Sequence, residues 1–160
     1  MKRKILFVLL VCVLAFTSGC GKEKKTITCK SESRDDVSGY NFYTEHKIKT
    51  EDDMVVEITT TETMDYDDGA YNDNIISDAK ASFVDFYNAQ NNVYGGYDNN
   101  VKVDGKKVIS TTVLDFDKIN MDKFLSDNVV LKEYANDKKE IKDTGFIELY
   151  KSLGATCDNK

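Results

Sequence analysis

Few residues of this chain have types and spacings that suggest chemistry. Cys20 follows Thr17, Ser18 and Gly19, small residues that would let its thiol reach a diacylglyceryl donor at a membrane face. The chemistry there would be thioether formation with lipid and cleavage just before the cysteine. Ser77 and Lys80 have the SxxK spacing of penicillin-recognising serine enzymes, which sets a hydroxyl one helical turn from an amine. The companion SDN and KTG elements are read as missing, and the pair would lie on the solvated flank of a helix. His46, the single histidine, could act as a general base because imidazole titrates near neutral pH. It has no nucleophile beside it in sequence, and on a strand it reads as a packed or half-exposed structural residue.

The carboxylate pairs Asp35-Asp36, Asp52-Asp53 and Asp67-Asp68 fall in expected turns, where solvation withholds the raised pKa that acid-base work needs. Asp65, Asp67, Asp68 and Gly69 resemble the start of an EF-hand loop. The glycine comes too early, however, and Ile76 stands where the closing Glu belongs. A looser calcium site formed by turns meeting in space stays open as an alternative. Tyr40, Tyr43, Tyr94 and Tyr97 could line a carbohydrate or peptide groove, although tyrosine also serves at core edges with its hydroxyl in water. The expectation is therefore no catalytic residue, no metal site, no cofactor and no enzyme.

The elements that position these residues begin with a leader. Lys2, Arg3 and Lys4 precede an uncharged run from Ile5 to Phe16, and the small residues before Cys20 follow it. The run holds 12 residues, whereas a spanning helix needs about 20. A conventional cleaved signal, using Ala15 and Thr17, is the competing reading. The organisation expected is a lipoprotein signal over residues 1–19, a lipidated tether over 20–28 and a single domain over 29–160. Two or three acyl chains on Cys20 would suffice for stable anchoring, placing the domain at the extracytoplasmic face of the cell membrane. Loss of the leader removes three basic charges and moves the formal net charge from −6 to −9. An acidic product argues against nucleic acid as a partner. Lys22, Lys24 and Lys25 read as a solvated tether, and an envelope protein or cell-wall component remains the candidate partner.

Cysteine arithmetic leaves one pairing. Cys12 departs with the leader and Cys20 carries lipid, so Cys29 and Cys157 remain in an exported, oxidising compartment. A bridge closing so long a loop would contribute about 4 to 5 kcal/mol; two free thiols are the alternative.

Period-two alternation predicts a strand over residues 26–33 at a sheet edge, then a long hairpin joining 39–49 with 53–66. Its second strand has Met54, Val56, Ile58, Thr60, Glu62 and Met64 on one face. After Asp67, Asp68 and Gly69 the spacing changes to three and four. Tyr71, Ile75, Ala79, Phe83, Phe86 and Val93 predict a core helix, capped by Asp67 or Asp68 and ended by Gly95-Gly96. Asp104-Gly105 signals a second hairpin, 97–103 with 108–116. A short helix is expected over 118–126. A last one presents Phe146, Leu149, Tyr150 and Leu153 and stops at Gly154. The fold class expected is α+β: an antiparallel sheet of about five strands, with one long helix and C-terminal helices packed on one face.

This order of elements resembles that of the YehR-like bacterial lipoproteins. The residues that carry the resemblance are the lipobox ending at Cys20, the strand Glu57 to Thr63, the hairpin Val101 to Leu114, and the tail from Ile119 through Phe146, Glu148 and Leu149 to Gly154-Ala155. The resemblance implies a lipid-anchored α+β domain and carries no catalytic residues with it. Two functions follow as expectations. One is a non-enzymatic surface domain that binds a protein or envelope component; the other is a small-ligand or calcium-binding lipoprotein serving a transporter or sensor.

Overall fold

A computed structural model describes residues 22–158. The expected signal peptide and the lipidation site Cys20 lie outside the described residues. Six strands form one antiparallel sheet: β1 (Lys24–Asp35), β2 (Tyr40–Glu51), β3 (Met54–Tyr66), β4 (Tyr97–Asp104), β5 (Lys107–Asp115) and β6 (Thr156–Asp158). Their spatial order is β4-β5-β3-β2-β1-β6. Between β3 and β4 runs α1 (Asp73–Tyr94), and after β5 come α2 (Met121–Asp127), α3 (Val129–Lys132) and α4 (Asp143–Ser152).

The sheet has six strands where about five were expected, because Thr156–Asp158 pairs with β1 after the last helix. As a result β1 is the penultimate strand and not the edge. It also starts at Lys24, inside the stretch expected to be tether. Lys22 and Lys24 both bind Glu51, at 2.9 Å each, and Lys25 binds Asp53 at 2.6 Å and Asp143 at 2.7 Å. These lysines are therefore tied into the domain.

The β2–β3 hairpin turns at Asp52 and Asp53, both with positive φ (51° and 65°), as a two-residue hairpin turn requires. Contacts hold this unfavourable geometry: the Asp52 carboxylate accepts from the Glu23 N–H and the Asp53 carbonyl from the Asp143 N–H. The pairing shifts register between Lys49 and Thr50, whose partners are Glu57 and Val55. Val56 is thus the extra residue of a bulge. Val55, not Val56, enters the core, which corrects the alternation expected there.

The helix after β3 is capped by Asn72, whose side chain accepts from the N–H groups of Asn74 and Ile75, and not by Asp67 or Asp68. Its buried residues are Ala79, Phe83 and Tyr87. Phe86, placed in the core by spacing, is 56% exposed. The true stripe is rotated by one residue, with Tyr87 inward and Phe86 at its margin. Gly95 ends the helix, as expected. The next residue, Gly96, has φ 74°, and a Cβ there would overlap Ile119 and come within 2.8 Å of the Asp115 carbonyl.

Register defines the inner face row by row. Ile27, Ile48, Ile58, Leu114 and Tyr97 form one row across the sheet, and Ser33, Phe42, Met64, Val108 and Val103 form another. Between these apolar rows lie two polar ones. The first is Cys29, His46, Thr60, Thr112 and Asn99; the second is Ser31, Thr44, Glu62, Ser110 and Val101. Helix α1 covers the second apolar row, while α2, α3 and α4 cover the first. The outer face carries threonines and ion pairs such as Lys30–Glu45, Lys49–Glu57 and Lys107–Asp65. It fits the one-sided solvation of an antiparallel sheet.

Candidate ligand-binding cleft

Because two helical layers cover the two apolar rows, the polar rows between them form the floor of a cleft. Its volume is about 310 Å³. Helix α1 supplies Phe86, Tyr87 and Gln90; α4 supplies Phe146, Leu149 and Tyr150; the sheet supplies His46, Thr60, Glu62 and Thr112. An apolar concavity with a few converging polar groups is the usual form of a small-molecule site. A larger groove of about 910 Å³ at the turn end of the sheet is walled mainly by charged surface residues, among them Lys22, Asp52 and Lys139. It lacks an apolar enclosure of this kind.

The polar groups in the cleft are individually constrained. His46 Nδ1 lies 2.9 Å from Thr60 Oγ1, and its ring stacks on Tyr150 with centroids 3.8 Å apart and planes 2° from parallel. Burial pushes the imidazole pKa down to about 4, since desolvation penalises the charged form. The ring is neutral at physiological pH and too weakly basic for efficient proton abstraction. Although His46 and Thr60 resemble a base and hydroxyl pair, no carboxylate orients the ring among the described hydrogen bonds. The ring is held between the Thr60 hydroxyl and the Tyr150 face.

Glu62 has its pKa raised, burial being the cause and the hydrogen bond from Tyr87 a partial offset. The Tyr87 hydroxyl donates to Glu62 Oε2 at 2.5 Å. Burial first, and then the negative charge of Glu62, push the Tyr87 pKa upward. Tyr97 is pushed up to about 12 by burial, and Tyr150 rises for the same reason. Asn99 donates through Nδ2 to Ser110 Oγ at 2.8 Å and Thr112 Oγ1 at 2.7 Å, which satisfies the hydroxyls beneath the floor.

Other expected residues separate. Cys29 and Cys157 are disulfide-bonded, closing a separation of 128 residues and pinning β6 to β1. Ser77 and Lys80 are exposed on α1. Ser126-Asp127-Asn128 does spell the SDN tripeptide of the same serine enzymes, which corrects the reading of that element as missing. It lies beside Tyr94, whose hydroxyl donates to Asp127, about 25 Å along α1 from Ser77 at 1.5 Å per residue. Lys123 also holds Asp127 at 2.6 Å. Among the described residues these two motifs do not assemble an acyl-transfer site.

The acidic turn residues are each matched to a cation: Asp65 to Lys107, Asp67 to Arg34 and Asp68 to Lys106. Among the described residues no group of three His, Cys, Asp or Glu side chains could share a metal ion. The four tyrosines expected to share a groove are dispersed. Tyr97 lines the cleft, Tyr94 packs beside it with ring centroids 6.5 Å apart, Tyr40 meets Tyr66 at 5.2 Å, and Tyr43 lies on the outer face. Glu62, Tyr87 and Tyr150 were not singled out from the sequence as site residues. The available signal was Thr60 and Glu62 on the face that also holds Ile58 and Met64, a polar interruption of an inward strand.

No protein-family model matches the chain, and no curated protein sequence does. Two solved structures share its fold. An NMR structure of the Escherichia coli YehR protein is 12% identical with a TM-score of 0.55, over 86% of this chain and 92% of that one. An NMR structure of a protein from Streptococcus pneumoniae TIGR4 is 15% identical with a TM-score of 0.52, over 85% and 86%. The likeness to YehR extends to the fold.

Proposed function

We propose that this chain is a YehR-like lipoprotein, anchored by lipid on Cys20 at the extracytoplasmic face of the cell membrane, whose domain works by binding a small ligand without catalysis. The supporting observation is the cleft between α1 and α4, where aromatic walls enclose a floor of polar side chains. Of the two functions expected from sequence, this geometry favours the small-ligand reading over a flat surface for a protein or envelope partner. Calcium is disfavoured as the ligand, because the turn carboxylates already neutralise lysine and arginine.

The test is a thermal-shift screen of the full chain in nonionic detergent against small organic compounds, divalent ions and cell-wall fragments. A ligand at 100 times its dissociation constant stabilises by about 2.7 kcal/mol. An organic ligand whose shift disappears in Thr112→Phe, which fills the cleft floor, is the expected result. A shift only with cell-wall fragments, unaffected by that substitution, would replace the cleft by a surface. The anchor is tested separately by Cys20→Ser, which should leave the protein unprocessed or released; processing and membrane retention in that variant would refute it.

A further inference from the structure

We infer that the cleft is built for an organic cation, a protonated or quaternary amine with an apolar body, held by Glu62 and the surrounding aromatic rings. This rests on the cleft being the ligand site and adds the chemical class of its occupant.

The charge inventory is one-sided. Among the residues lining the cleft Glu62 is the only carboxylate, and there is no lysine or arginine. Three carboxylates of the exposed outer face, Glu45, Glu57 and Asp65, are each matched by a lysine. Glu62 instead receives a neutral phenol on Oε2, and Oε1 takes no described hydrogen bond. One oxygen is thus fixed in orientation while the other remains available to an N–H donor or a positive centre.

Desolvation decides between ligand classes. A neutral apolar molecule seated here would strip water from an ionised carboxylate and return nothing, a costly exchange. An anion would add repulsion to that cost; burial disfavours charge of either sign here, on the tyrosines and on His46 alike, so the sign is set by Glu62. A cation offsets the loss through its charge. Ring faces add to this, because aromatic quadrupoles attract cations within about 6 Å. Phe86 and Tyr87 meet edge to face, 5.0 Å apart at 82°, and Tyr97 lies 6.3 Å from Tyr87 at 37°. Such differently tilted walls suit a compact, rounded cationic group. The formal net charge of −6 favours cations at longer range.

The experiment titrates the full chain in nonionic detergent at pH 7.5 with benzyltrimethylammonium, benzyl alcohol and phenylacetate. Tyrosine fluorescence is a direct readout, because the chain has nine tyrosines and no tryptophan. The cation is expected to bind at least tenfold more tightly than the alcohol, and phenylacetate more weakly than either. Glu62→Gln should shrink the cation's advantage to threefold or less and leave the alcohol unchanged. Gln90→Glu, which adds a carboxylate to the same wall from an exposed helix, should tighten the cation severalfold and keeps the test decisive if Glu62→Gln misfolds. Equal binding of alcohol and cation, with neither variant shifting their ratio, would overturn the cationic class while the cleft stands as a binding site. No fluorescence response to any probe would overturn both.

Discussion

The two ends of the sheet's inner face are covered in different ways. Under α2, α3 and α4 the cover is dense. Phe116 meets Phe124 at 5.9 Å and 85° and Phe146 at 5.5 Å and 77°, while Ile48, Leu131 and Ile141 are essentially inaccessible. That end also has the disulfide and the ion pair between Lys25 and Asp143, an aspartate only 4% exposed. Under α1 the cover is thin. A helix of 22 residues buries three side chains against the sheet, and Phe86 and Val93 remain largely in solvent. Fixing so much backbone for so little buried area makes α1 the segment expected to open at lower free energy. The polar rows lie along the boundary between the two, so one wall of the cleft is rigid and the other compliant.

The largest test of this asymmetry is the disulfide. Replacing both Cys29 and Cys157 by Ser should cost about 4 to 5 kcal/mol on the loop-closure model, measured by urea denaturation. A loss below about 1 kcal/mol would mean that the dense end owes little to its covalent closure.

Large-to-small substitutions sharpen the contrast directly. Phe146→Ala should cost about 4 kcal/mol and Phe83→Ala nearer 3, within the range for buried Phe, since the thinly covered end can relax around its cavity. Amide hydrogen exchange should show α1 opening before α4. The reverse order in both measurements would invert the comparison.

Lys25→Met probes the ion pair. It leaves the buried Asp143 carboxylate uncompensated, with an expected cost of about 2 to 3 kcal/mol after allowing for the lysine's partial exposure. Met at position 25 retains the apolar stem, so an unchanged urea midpoint would show that the charge contributes nothing.

The smallest effect is in the pH profile. Unfolded, His46 takes up a proton below about 6.5, while folded it resists until about 4. Stability should therefore fall as pH drops through that window and level off below it. A fully buried ring would set a limit of about 3 kcal/mol, and the solvent contact that His46 retains brings the expected loss to about 1 kcal/mol. Glu62, facing the same cleft with Tyr87 and Tyr150, acts oppositely: its raised pKa lets the folded chain bind a proton first, which adds stability as pH falls toward 4.5. His46→Gln should abolish the decline between pH 6.5 and 4.5, or reverse it slightly. A decline that persists in the variant would place its origin elsewhere.

Much of the architecture was legible because it rests on local periodicity. The β2–β3 hairpin, the Asp104-Gly105 turn, the long helix ended by Gly95 and the Cys29–Cys157 pairing all follow from spacing within a few residues or from cysteine counting. Features decided by distant partners were not legible. The bulge at Val56 depends on how β2 meets β3, and β6 is a three-residue strand that exists because β1 and the disulfide receive it. Tyr87, inward where spacing placed Phe86, finds its hydrogen-bond partner in Glu62, a residue 25 positions away. The cleft was hidden for the same reason, since its walls come from two helices and its floor from strands that register alone aligns.

The start of β1 at Lys24 has a bearing on access. Under the proposed anchor at Cys20, the β2–β3 turn beside Lys22 and Lys24 would be the membrane-proximal end of the domain. The row that carries His46 is level with Cys29, five residues farther along β1, or about 17 Å at the rise of an extended strand. That length exceeds the Debye length of about 8 Å at physiological salt, so the field of anionic headgroups at the proposed anchor would be largely screened at the cleft. On that proposed geometry, capture of a charged occupant would depend on the charges of the domain itself and not on those of the bilayer.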